Sequence, residues 1–191
     1  MKLLVYIFSL VFTLFLGSVS KEYNQDAVRI GLAYKLINDI IVDTTDICVK
    51  NNVKSISETA LWFPSFIELS ENEFDFYKNL FNENDTVNII GQLENSIYFE
   101  IDSTKIRNVK ILPKSIHIKY SSSDEFWNYL YENNYGAFIA FSKPIFSKDN
   151  SFVCIRLGVM SGRLWGEGES RLYMRKNDKW ILIKSFDKWI S

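Results

Sequence analysis

Histidine is nearly absent from this 191-residue chain: His117 stands alone, beside two cysteines, three prolines and eight glycines. One imidazole and two thiols exclude zinc ribbons, finger arrays and multi-disulfide scaffolds by count. Any Ser-His-Asp, Cys-His or histidine-metal mechanism would have to use His117. Sparse glycine and proline exclude collagen-like repeats. Charge of one sign is also lacking, with 22 Lys+Arg against 23 Asp+Glu, so no overall basic excess argues for nucleic acid. What is present is apolar: 47% of residues are hydrophobic and 16% aromatic, too many for disorder and suited to one globular domain.

The longest apolar run is Leu3 to Leu16, broken only by Ser9 and Thr13. Lys2 precedes it, and Gly17, Ser18, Val19 and Ser20 follow, with small residues at the −3 and −1 positions of a cut after Ser20. Residues 1–20 therefore read as a secretory signal peptide and 21–191 as a single mature domain without a transmembrane segment. A retained anchor is the rival, but the run is shorter than the roughly 20 residues a spanning helix needs. No Cys follows the run to carry a lipoprotein anchor. Export, to the periplasm, the outer surface or the medium, further disfavours a nucleic-acid partner. The mature halves differ in charge: residues 21–100 carry 6 basic and 14 acidic side chains, residues 101–191 carry 15 and 9. An acidic layer packed beside a basic one explains this more simply than a dedicated anion-binding surface.

Between Asn24 and Asp43, Val28, Leu32, Ala33, Leu36, Ile37, Ile40 and Ile41 recur at helical spacing. Ser55 and Glu58 have capping-box spacing for a short helix that Pro64 must stop, and Ser70 and Glu73 introduce a helix over 71–81. From Thr86 the period shortens: Val87, Ile89 and Ile90, then Ser96 to Ile101, then the alternation Ile116, His117, Ile118, Lys119, Tyr120 predict strands. Ser123 caps a helix carrying Phe126, Trp127, Leu130 and Tyr131, ended by Asn133-Asn134 before Gly136. Ala137–Phe146, Phe152–Met160, Ser170–Lys176 and Lys179–Ser185 predict an antiparallel meander, joined at Lys148-Asp149-Asn150, around Gly162 to Gly168, and at Asn177-Asp178. A two-residue turn at Asn177-Asp178 sets Lys176 opposite Lys179, Met174 opposite Ile181 and Leu172 opposite Ile183. The fold class is α+β, with N-terminal helices before a curved antiparallel sheet, on the order of a cystatin-like or nuclear-transport-factor-like roll.

The segments Asp124-Glu-Phe-Trp-Asn-Tyr-Leu-Tyr, Gly136 to Asn150, Gly166-Glu-Gly-Glu and Lys179-Trp-Ile-Leu-Ile-Lys through Trp189-Ile-Ser191 resemble a group of uncharacterised exported proteins from Bacteroidetes. The resemblance covers about residues 124–191. That group carries a Ser-Arg-x-x-Phe element, a Cys-Gly-x-x-Cys-Gly segment and a terminal Trp-x-Ser. Here Ser161 and Trp165 stand where it has the two cysteines, so any role of that pair is absent. The resemblance implies a bacterial exported protein and transfers no catalytic residue.

Each chemical candidate has a plainer reading. His117 alternates onto the polar face of its expected strand, which more often marks a solvated residue than a base. Glu167 and Glu169 could set two carboxylates on one side of an extended chain, as a glycosidase requires, yet a glycine-rich connection between strands explains Gly166-Glu-Gly-Glu more simply. Cys48 and Cys154 sit in apolar settings and fit either a disulfide or two buried thiols. Arg171, Tyr173 and Arg175, opposite Trp180 and Lys184, could form an outward ligand face for an anionic glycan or other envelope component. The competing reading has the first helix cover Tyr173 and Trp180, with the cations as its rim. No metal and no cofactor is indicated. The residues favour a non-enzymatic binding or envelope-associated domain, with a glycosidase-like hydrolase using Glu167 and Glu169 as the alternative.

Overall fold

The computed structural model describes residues 25–42, 53–59, 86–94, 99–120 and 123–191. The signal segment 1–20, the short helix expected to reach 60–64, the helix expected over 71–81, residues 96–98 of the strand expected over 96–101 and Cys48 all lie outside them; the described remainder of that expected strand, 99–101, forms only an isolated bridge, Glu100 to Thr59.

Helix α1 covers residues 25–42 and buries Leu32, Ala33, Leu36, Ile37 and Ile40 along one stripe, while Val28 and Val42 remain exposed. That stripe lies on a seven-stranded, open, mixed sheet: β1 (Val53–Ser57), β2 (Lys110–Leu112), β3 (Ala137–Phe141), β4 (Ile145–Phe146), β5 (Phe152–Gly162), β6 (Trp165–Lys176) and β7 (Lys179–Ile190). Along the sheet the order is β2-β1-β3-β5-β6-β7, with β4 also paired to β5. β1 runs parallel to β2 and β3, and all other pairings are antiparallel. The class is α+β. Helices nevertheless recur between strands rather than only before them: α2 (Thr86–Glu94), α3 (Lys114–Lys119) and α4 (Ser123–Glu132).

Period-two alternation assigns the two sheet faces. Val153, Ile155, Leu157 and Val159 of β5 face α1 together with Ile139, Phe141, Phe146 and Tyr173. On the opposite face Phe138 and Met160 pack under Trp127 and Leu130 of α4, and Cys154 and Ile145 under Ile89 and Leu93 of α2. Among the described residues no helix is long and apolar enough to cross a membrane.

Several local expectations hold. Asn177 (φ 51°) and Asp178 (φ 59°) form the two-residue turn between β6 and β7, with Lys176 opposite Lys179 and Met174 opposite Ile181. At the end of α4, Asn134 is left-handed (φ 56°), its N–H donates to the Tyr131 carbonyl, and Tyr135 N–H donates to that of Leu130. That pair of bonds is a Schellman cap.

Others are corrected. The segment from Val87 to Ile90 is helical, because Ile89 and Leu93, four residues apart, both reach the core. Ile116–Tyr120 is also not a strand: Pro113 enters α3 and the Glu58 carboxylate accepts the Lys114 N–H at 2.7 Å, ending the alternation in a short helix. Ser55 belongs to β1, so Glu58 caps a different helix from the one its spacing suggested. The run Ala137–Phe146 breaks at Ser142-Lys143-Pro144. β6 begins at Trp165, leaving Arg163-Leu164 as the turn, and β7 extends to Ile190. A bulge at Ile183 moves Leu172 opposite Lys184, so Leu172 and Ile183 do not pair.

Candidate functional site

The break at Lys143-Pro144 has a structural consequence. The ladder is interrupted here, β4 restarts directly after the proline, and among the described residues its outer edge is met by α2 rather than by another strand. The Gln92 carboxamide takes that edge: its Oε1 accepts Phe146 N–H at 2.9 Å, and its Nε2 donates to the Phe146 carbonyl at 2.8 Å. Asn88 Nδ2 donates to the same carbonyl at 3.1 Å. The Asn88 Oδ1 in turn accepts from Arg29 Nη2 at 2.7 Å, and Asn150, left-handed in the turn before β5, accepts from Arg29 Nε at 3.1 Å. These amides fix α1, α2 and the β4–β5 turn around a cleft of about 250 Å³.

The cleft has an apolar floor of Ile30, Ala33, Phe99, Pro144 and Phe146, with Arg29, Lys143 and Asp26 above it. Arg29 lies 4.0 Å from Asp26, whose side chain is 70% exposed. The Lys143 ammonium makes one long bond, 3.5 Å, to the Gln92 carbonyl. Burial lowers the Lys143 pKa from the usual lysine value; Asp26 opposes the shift and Arg29 adds to it. Tyr34 closes one end, its hydroxyl accepting the Asp102 N–H at 2.7 Å, and burial raises its pKa. A second, more polar groove of about 500 Å³ runs along the other side of Tyr34. Two of its cations are engaged, Lys35 with the Asp178 carbonyl and Lys105 with Asp102, and Arg107 also lines it.

The residues expected to form a ligand face on the last hairpin are not presented together. Arg171 and Tyr173 are 7% and 6% exposed and lie on the α1 side of the sheet. Trp180 packs against the same cluster, its ring 6.1 Å from that of Phe146. Arg175 pairs with Asp178 at 2.6 Å at the turn, and Lys184 is exposed beside the Ile183 bulge. Tyr173 and Trp180 belong to the cluster that α1 covers, Arg171 is buried rather than part of a rim, and Arg175 and Lys184 are exposed.

Glu167 and Glu169 lie within β6 rather than in a connection. The two glycines of this segment serve packing instead: a Cβ on Gly168, between the two glutamates, would stand 2.5 Å from the Trp189 indole nitrogen, and one on Gly166, before them, would stand 3.2 Å from the same ring. Glu169 is buried, with Oε1 held by Arg171 Nε at 2.5 Å and Oε2 3.5 Å from Lys188 Nζ. A glycosidase needs both carboxyls open to its substrate, and Glu169 is buried and already held by Arg171. His117 is half-buried on α3, not solvated, with its ring 5.0 Å from Phe126 and 5.8 Å from Phe138. Its Nε2 is 3.1 Å from Ser57 Oγ, but Ser57 is 1% exposed and is also bonded to Thr59, so substrate has no route to that hydroxyl. Cys154 is fully buried. Among the described residues no group of three His, Cys, Asp or Glu side chains could hold a metal.

Sequence reasoning missed Arg29, Lys143 and Gln92. The available signals were an arginine on the apolar side of an amphipathic helix and a Lys-Pro pair interrupting a β run. No family model, curated protein or solved structure matches this chain.

Proposed function

We propose that the chain is an exported, non-enzymatic binding domain whose ligand site is the cleft between α1, α2 and Lys143-Pro144. The observation that carries this reading is the cleft's lining: cations over an apolar floor, with no nucleophile–base pair among them. The hydrolase alternative has less support, because Glu169 is already neutralised by Arg171 and Lys188. An anionic glycan on the last hairpin is likewise less supported, since Arg171 and Tyr173 are buried. The parallel pairings of β1 and the helices on both faces favour an open sandwich over a cystatin-like or nuclear-transport-factor-like roll. Kinship with the exported Bacteroidetes group rests on residues 124–191 and is consistent with export.

Incubation of the purified protein with nitrophenyl esters, nitrophenyl glycosides and casein should give no turnover above buffer. Turnover abolished by Glu169→Gln or His117→Asn overturns the non-enzymatic reading. Export predicts an intact mass that begins at Lys21 in protein recovered from its native envelope or medium; a chain still beginning at Met1 in the membrane fraction refutes it.

A further inference from the structure

We propose that Lys143 is a nucleophile and that the cleft holds a small apolar aldehyde as a reversible Schiff base on its amine. This deepens the binding-domain reading and rests on it.

Position comes first. Lys143 stands in the break between β3 and β4, and its half-buried side chain lines the cleft together with Phe99, Pro144 and Phe146. Its nitrogen makes one bond, 3.5 Å long, to the Gln92 carbonyl, and pairs with no carboxylate. A cap on the end of α2 at that length is weak. An ammonium needs acceptors for three N–H groups and finds one here; the neutral amine can give one N–H to Gln92 and keep its lone pair for a ligand. Asp26 and Arg29 act on Lys143 with opposite signs, so the argument rests on its desolvation, the largest cause of its lowered pKa, and not on a balance of charge. Desolvation in an apolar site is what makes a lysine a Schiff-base former.

The chemistry balances without a redox partner. The Lys143 lone pair forms a C–N bond to the aldehyde carbon, the C=O π pair moves to oxygen, and a nitrogen proton follows it to give a carbinolamine. The hydroxyl then leaves with the second N–H proton as water, and the imine remains. Shape selects the aldehyde. Phe99, Phe146 and Pro144 form a floor that a ring or short alkyl body covers well. At about 250 Å³ the cleft falls below the roughly 300–1,000 Å³ usual for drug-sized ligands, so it holds about one ring rather than an open-chain sugar oligomer. The Gln92 and Asn88 bonds to Phe146 hold this floor in place before a ligand arrives, which lowers the ordering cost of binding.

The test treats the purified protein at pH 7 with limiting benzaldehyde and cyanoborohydride, which donates hydride to the imine carbon and traps it as a secondary amine, and maps the label by peptide mass spectrometry. Lys143 should be labelled at least about tenfold faster than any other lysine and than free Nα-acetyl-lysine. Glyceraldehyde, polar and of similar size, should show no such preference for Lys143 once scaled to its own rate on Nα-acetyl-lysine. In denaturing urea the selectivity for Lys143 should vanish. Lys143→Met should lose the fast label while its melting temperature is unchanged or raised, which shows that the loss is not unfolding. Labelling of Lys143 no faster than that of the other lysines, equal selectivity with glyceraldehyde, or selectivity that persists in urea each overturns the proposal. An unreactive Lys143 together with a lowered melting temperature for Lys143→Met overturns it too, and identifies a helix cap. Ester or glycoside turnover, by contrast, overturns the non-enzymatic reading and leaves the labelling result standing.

Discussion

Deleting Lys188–Ser191 removes a short tail that the fold has built a seat for. Trp189 lies over Gly166 and Gly168; a Cβ on Gly168 would collide with its indole and with the Leu157 carbonyl, and one on Gly166 would crowd the ring at 3.2 Å. Ser191 and Gly166 exchange two backbone hydrogen bonds, at 2.9 and 3.3 Å. Truncating a fully buried Trp costs about 3–5 kcal/mol, so the partly buried Trp189 contributes roughly half of that. Two hydrogen bonds near solvent add about 1 kcal/mol together. The deletion should therefore cost about 3 kcal/mol, which at about 2–4 °C per kcal/mol lowers Tm by about 6–12 °C in a domain of this size. Calorimetry of the deletion and of Gly168→Ala checks the seat directly. Gly168→Ala should destabilise the parent, and less so once Trp189→Ala has emptied the space. A deletion that melts within 2 °C of the parent, or additive effects of the two substitutions, would show that the indole is not held there.

Gln92→Ala should cost about 2 kcal/mol in urea denaturation, because the buried Phe146 N–H loses its partner while its carbonyl keeps only Asn88; a loss under about 0.5 kcal/mol refutes the edge-capping role. Burial lowers the His117 pKa below its ordinary value of 6.5, so the unfolded chain takes up the proton first as pH falls. Stability owed to neutral His117 is therefore full above about pH 6.5 and declines below it. His117→Gln should flatten the Tm-versus-pH curve between pH 7 and 5; since Ser57, Phe126 and Phe138 around the ring do not titrate there, an unchanged slope refutes the assignment. Hydrogen bonds from Ser151 and Ser147 lower the Asp149 pKa, so both proteins should lose stability together below about pH 4.

Elements whose signals are local were legible from the residues. Asn177-Asp178 can adopt the two left-handed conformations a tight hairpin needs, and Asn134 closes α4 for the same reason. The α1 stripe spans enough turns to leave no ambiguity of period. Short segments were misread because their period was decided elsewhere. Val87–Ile90 has β-branched residues and is followed by Gly91, which costs a helix about 1 kcal/mol, yet the segment is helical because Ile89 and Leu93 reach the same core. Ile116–Tyr120 alternates as a strand would, but Glu58, far away in sequence, caps it as a helix. The cleft lay furthest from view: Arg29 and Lys143 are 114 positions apart, and neither gains meaning until α1 and the β3–β4 break are brought together.

β7 is the last strand of the sheet among the described residues, and it exposes Ile181, Leu182, Ile183 and Ile190. A straight twelve-residue strand of that composition would offer neighbouring molecules a template for fibril growth. Two extra residues prevent this, one at Ile183 and one near the left-handed Asp187 (φ 48°). They divide the ladder into pieces shorter than the six or so residues that a stacked cross-β segment requires, and Lys179, Lys184 and Lys188 add repulsion along its length. The irregular register that separates Leu172 from Ile183 thus shortens the regular edge that a neighbouring strand could extend.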